Sequence, residues 1–129
     1  MLPVGPATLH GRLLPVTNES KRVRLGELAD DIEAEMRRLG AWMENPPTEE
    51  TVLGGGAFGM GTVAFDTWLQ VVFVPRLRQT AAGAFPLPKN SSVGAQASRE
   101  WDGETRDLER LLGLILDVDD VIEGRGSGY

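Results

Sequence analysis

Apolar residues recur at spacings of three and four from Leu25 onward, through Leu28, Ala29, Ile32, Met36, Leu39 and Met43. That spacing stacks them on one face of a helix. It predicts helix one over about residues 20–44, with Thr17, Asn18 and Ser20 as candidate N-caps and Asn45-Pro46-Pro47 as its stop. Residues 48–61 read as a loop. Helix two follows over about 62–82 and is closed by Gly83 and Pro86-Leu87-Pro88. Phe65, Trp68, Leu69, Val72 and Leu77 lie on or beside one face of it, and Val71, Phe73 and Val74 carry apolar surface round the rest. A helix apolar on nearly all sides is buried on several of them, so helix two is expected to be the one the others wrap. A short helix is expected over 92–101. Helix four is expected from Gly103 to Glu123, with Leu108, Leu111, Leu112, Ile115, Val118 and Ile122 on one stripe and Gly124 after it. The pattern contains no repeat and no sustained alternation. The predicted fold is all-α: a compact bundle of three main helices plus one short helix, kinked at Pro75. Its domain spans 18–123, between a flexible N-terminal extension at 1–17 and a disordered tail at 124–129.

Two residues interrupt the apolar run. Pro75 has no N–H to donate to the Val71 carbonyl, and its ring crowds that turn. A kink is the expected result, either as curvature that fits the helix to its neighbours or as the mark of a site. Arg76 falls inside the apolar stripe, where an unpaired guanidinium is very costly. Asp119 lies on the stripe of helix four where a leucine would be expected. The two are therefore predicted to pair across the helix interface and fix its register. The alternative leaves Arg76 facing a cleft, open to an anion or a partner's carboxylate.

Composition narrows the functional classes. The chain has 129 residues, which fits one domain, and 13 basic against 19 acidic residues give a net charge of −6. That balance disfavours a nonspecific nucleic-acid binder. With no cysteine and one histidine, His10, there is no disulfide, thiolate ligand or cysteine nucleophile, and a Ser-His-Asp triad on an ordered core is not expected. No apolar run approaches the roughly 20 residues that span a bilayer, and the proline-broken N-terminus lacks a basic region before its apolar residues. A cytoplasmic protein without membrane contact is expected.

Several motifs have residue types that could carry chemistry. Gly54, Gly56 and Gly59 satisfy G-x-G-x-x-G, which suits backbone approach to phosphate. The kinase lysine, H-R-D and D-F-G partners are missing, and no βαβ unit surrounds it. A connector that tucks Phe58 and Met60 onto the core is expected instead. Asp30, Asp31, Glu33 and Glu35 form an acidic cluster, as do Asp117, Asp119 and Asp120. Without Glu-x-x-His pairs on facing helices they read as a solvated face plus a buried Asp119, and no metal or cofactor is expected. Arg12, Lys21, Arg22 and Arg24 gather where cations oppose the helix dipole, and they are the candidates for weak RNA contact. Trp42, Trp68 and Trp101 read as core anchors or groove walls.

From Phe58 onward the chain resembles the YqcC-like family of small bacterial proteins. The resemblance is carried by Phe58, Met60 and Thr62, by Trp68-Leu69-Gln70, Val74-Pro75-Arg76 and Pro86-Leu87-Pro88, and by Trp42, Pro46 and Asp119. It covers about 20–123. Gly61 stands where the family tends to have an aspartate. The resemblance implies an all-α bundle without established activity, with some members linked to a tRNA pseudouridine synthase by gene neighbourhood. The leading expectation is a non-enzymatic interaction module that presents Trp68, Gln70, Pro75, Arg76, Pro86 and Pro88 to a protein partner. The rivals are an accessory factor in tRNA modification with weak RNA contact, and a bundle that binds a small anionic ligand at Arg76.

Overall fold

The computed structural model describes residues 17–54 and 64–124. The expected extension, most of the glycine run, Phe58, Met60, Thr62, Arg12 and the tail beyond Gly124 lie outside the described residues. Helices α1 (Asn18–Arg38), α2 (Glu49–Gly54) and α3 (Phe65–Trp68) are followed by a π-helical turn (Leu69–Phe73) that runs directly into α4 (Val74–Ala81). Then come α5 (Val93–Glu100) and α6 (Glu109–Glu123). Among the described residues there is no strand, and the predicted all-α bundle stands.

α1 opens on a capping box. The Thr17 hydroxyl accepts the Ser20 N–H at 3.0 Å, and Ser20 Oγ accepts the Thr17 N–H at 2.9 Å. The helix stops at Arg38, well short of the predicted 44. Gly40 takes a left-handed φ of 73°, the Ala41 N–H reaches back to the Met36 carbonyl at 2.8 Å, and the Gly40 N–H reaches Arg37 at 3.0 Å. This is a Schellman closure, so Gly40 ends α1 before the prolines are reached. α2 lies where a loop was expected. The Thr48 hydroxyl caps it by accepting the Thr51 N–H at 3.1 Å, and Val52 anchors it, 1% exposed. α6 begins at Glu109 rather than Gly103, because Gly103 adopts φ 81° and turns the chain.

α1 packs against both α4 and α6, and its Leu25, Leu28, Ala29, Ile32 and Met36 are fully buried. The central position expected for helix two belongs to α1. The apolar surface around residues 69–77 is divided instead. Leu69, Phe73, Val74 and Leu77 join the main core, while Val71 and Val72 form a small second cluster with Val52 of α2. α5 lies along α6.

Candidate functional site

The π turn decides where the candidate residues point. Pro75 cannot bond back to Val71, and the helix takes in an extra residue there: the Val74 N–H bonds to Leu69, five residues back. One extra residue in a turn rotates everything after it by one helical position, about 100°. A continuous α-helical stripe would run through Leu69, Val72 and Arg76. The observed core stripe runs through Leu69, Phe73 and Leu77. Arg76 is thereby turned outward.

This overturns the predicted Arg76–Asp119 pair. The Arg76 side chain is 51% exposed, donates to Glu49 of α2 at 2.8 Å, and sits over the Phe85 ring at 5.9 Å. Asp119 is buried, as its stripe position implies, with 3% exposure. Its oxygens accept from the Ser91 hydroxyl at 2.5 Å, the Val93 N–H at 3.2 Å and the Gly94 N–H at 2.8 Å. It is an N-cap for α5 supplied from α6. Gly94 permits the close approach. A Cβ there would lie 2.4 Å from Leu116 Cδ2 and 2.9 Å from Asp119 Oδ2.

Gln70 is 5% exposed and clamps the chain after α1. Its amide oxygen accepts the Met43 N–H at 2.9 Å, and its NH2 donates to the Met43 carbonyl at 2.7 Å. Half-buried Trp68 stacks between Phe65 and Phe73, with ring centroids 5.7 Å away on each side. Pro75 is half-buried, and Pro86 and Pro88 are exposed. The candidates therefore split. Trp68 and Gln70 belong to the framework, Pro75 is half-buried, and Arg76, Pro86 and Pro88 are on the surface, where Phe85 is exposed as well.

The basic start of α1 has a structural explanation. α1 is antiparallel to α4 and α6, so their carbonyl-rich C-termini end beside it. Lys21 Nζ donates to the Ile122 carbonyl at 3.3 Å. Arg22 donates to the Thr80 carbonyl and to Phe85 at 3.0 Å. Arg24 pairs with Glu27 at 3.2 Å. The cations that oppose their own helix dipole stabilise the dipoles of two neighbours. Glu35 also departs from the solvated face expected of its cluster. It is 4% exposed, receives two bonds from Arg38 at 2.9 and 2.5 Å, and these hold its pKa below the usual carboxylate range.

A further constellation is one the sequence reading did not collect. Arg106 donates to Asp66 at 2.8 Å and to Glu104 at 2.9 and 3.0 Å, and the Trp101 indole N–H reaches Asp66 at 3.3 Å. The bonds from Arg106 lower the Glu104 pKa from 4.5 to about 2. Beside these residues is an open cavity of about 310 Å³ lined by Trp101, Leu108, Leu112, Asp102, Glu104 and Glu109, among others. The local signal was Glu104-x-Arg106 directly after a turn glycine. Its partner Asp66 is distant in sequence. Among the described residues no cluster of metal-ligating side chains forms, and no helix is long and apolar enough to cross a membrane.

The features define a small all-α bundle that is assembled around α1 and tied together by side chains capping the ends of neighbouring helices. Residues 24–121 match the family model DUF446, described as tRNA pseudouridine synthase C, and the chain belongs to that family. A Haemophilus influenzae protein described only as uncharacterized is 24% identical over 92 residues, covering 71% of this chain and 86% of that protein. A Pectobacterium carotovorum subsp. carotovorum protein named tRNA pseudouridine synthase C is 29% identical over 81 residues, covering 63% of this chain but 22% of that protein. No solved structure matches the chain.

Proposed function

We propose that this chain is a non-enzymatic helical docking module whose protein partner works in tRNA pseudouridylation. The observation that carries the reading is how the two relatives are covered. The Haemophilus relative is nearly all matched, whereas in the Pectobacterium protein the match is a minor segment of a much longer chain named as the synthase. A bundle that occurs both alone and inside a longer chain suits a module that associates with the rest of that chain, since covalent linkage supplies a high effective concentration.

Charge favours a protein contact over RNA. Lys21 and Arg22 are bonded to carbonyls in the last turns of α6 and α4 and Arg24 to a carboxylate, so three of the four residues considered for RNA are already engaged. Arg76 is matched by Glu49, which argues against a free anion there. The docking face in this reading is the surface of Arg76, Phe85, Pro86 and Pro88, with Arg76 set by Glu49 and stacked over Phe85. The Trp68-Leu69-Gln70 and Pro86-Leu87-Pro88 motifs support a YqcC-like subgroup, and the reading places the protein in the cytoplasm. Affinity copurification from the native cell, with and without RNase, tests it. Retention of a tRNA pseudouridine synthase after RNase is the expected result. Loss on RNase treatment would transfer the reading to RNA contact, and absence of the synthase from both samples would refute it.

A further inference from the structure

α5 and α6 run antiparallel. They meet tightly at one end through Gly94, Leu116 and Asp119. At the other end both line the open cavity, with Ser98 and Trp101 on one side and Glu109 and Leu112 on the other. Leu108 is buried, and Trp101 and Leu112 are half-buried, so the inner wall is apolar and partly aromatic. An apolar strip leaves the cavity along α6. Glu109, Leu112, Gly113 and Leu116 share one helix face, Leu116 is 42% exposed, and a Cβ on Gly113 would meet nothing within 4 Å. A partner can thus come close to the α6 backbone at that point.

The charge around this groove is one-sided. Asp102, Glu104 and Glu109 line the cavity against a single cation, Arg106, and Arg106 is already bonded to Asp66 and Glu104. The Asp102 and Glu109 carboxylates have no side-chain partner among the described residues. Such a rim repels phosphate and attracts a guanidinium or ammonium, and an aromatic wall adds cation–π attraction. The volume is at the small end of ligand cavities, roughly 300 Å³, which suits an inserted side chain rather than a large cofactor.

We propose that the α5–α6 groove seats an amphipathic, arginine- or lysine-bearing segment of a partner protein. Its apolar side chains lie along Leu112, Gly113 and Leu116, and its cationic head enters the cavity beside Trp101 among Asp102, Glu104 and Glu109. This surface is separate from the Arg76–Pro88 face and does not depend on the identity of the partner.

The test is titration of the full chain, 15N-labelled, with a blocked helical peptide that carries leucines on one face and arginines beside them. A matched peptide with glutamine for arginine is the control. The Trp101 indole N–H signal should move saturably while that of Trp42 stays in place. The glutamine peptide should bind at least about tenfold more weakly, and the D102N/E109Q variant should weaken the arginine peptide by a similar factor while remaining folded, its melt lowered only by the few degrees, roughly, that loss of the Glu109 charge from the first turn of α6 costs. Equal affinity for the two peptides, unchanged affinity in D102N/E109Q, or a response confined to Trp42 or Trp68 would overturn the proposal. No synthase is used, so failure here leaves the synthase reading intact, and a failed copurification leaves the groove intact.

Discussion

Replacing Asp119 and Arg76, singly and together, separates two arrangements of the same residues. In Asp119→Ala the Val93 and Gly94 N–H groups and the Ser91 hydroxyl all lose a charged acceptor at a site that is 3% exposed. Hydrogen bonds to a charged group contribute roughly 1.5–3 kcal/mol each. Relief from burying the carboxylate, and water reaching the half-buried Ser91, offset part of that sum. A net loss of about 3 kcal/mol is expected, which lowers the melting temperature by roughly 12 °C in a domain of this size. Arg76→Ala removes a pair whose side chains are 51% and 42% exposed, and such surface pairs contribute about 0.5 kcal/mol. The double variant should be additive within about 0.5 kcal/mol, because the two residues share no partner. Urea denaturation followed by far-UV circular dichroism gives all three values, and the Trp101 indole N–H signal in 15N NMR reports the release of the end of α5. Were the residues paired, removing Arg76 would strand a buried carboxylate at about 3–5 kcal/mol. An Arg76→Ala loss of that size, or a coupling above about 1 kcal/mol, refutes the outward rotation by the π turn.

Gln70→Leu keeps the side-chain bulk but strands both polar groups of Met43, so a loss of about 2 kcal/mol is expected in urea melts, and a change below about 0.5 would show that the clamp is not needed. Gly113→Ala adds a methyl in open space within α6 and should stabilise by about 0.5–1 kcal/mol from helix propensity. Gly94→Ala must displace Leu116 and Asp119 and should destabilise, so differential scanning calorimetry should move the two melting temperatures in opposite directions. Glu104 has its pKa lowered to about 2 by the bonds from Arg106. Its contribution is therefore present above pH 4.5 and is lost as pH falls toward 2. A carboxyl 13C titration should place the Glu104 midpoint near that lower value, and a midpoint near 4.5 would show that the Glu104–Arg106 contact does not persist in solution.

Much of the fold is visible in the apolar spacing of α1 and α6, because a helix facing a core must repeat its buried residues every three or four positions. Boundaries were harder to read. Gly40 and Asn45-Pro46-Pro47 are both stop signals, and the nearer one acts because Met36 and Ala41 close the helix over it. Gly103 sits before a strongly periodic run, so the pattern alone extends α6 back to it. α2 carries a cap residue, Thr48, followed by Glu49 and Glu50, but it is too short for periodicity to reveal it, and its burial depends on Val71 and Val72.

The expected Arg76–Asp119 pair fails for a physical cause that lies in Pro75. Proline removes one hydrogen bond, and a helix can respond by kinking or by taking in an extra residue. A kink leaves the angular order of the side chains unchanged, whereas a π turn advances it. Wheel arithmetic assumes the first response and therefore holds for Phe65 and Leu69 but fails from Val72 onward. The identity of the residues records the second response. Leu77 is a good core side chain and Arg76 a good surface one, so a stripe that passes through Leu77 satisfies both, while one through Arg76 needs a buried partner. Asp119 looked like that partner only because its real donors are backbone N–H groups, which every sequence contains and none displays. A buried acid on a helix stripe therefore points as readily to the N-terminus of a neighbouring helix as to a buried base. The Ser91-Ser92 segment that enters α5 without a side-chain cap of its own is the place where that requirement arises.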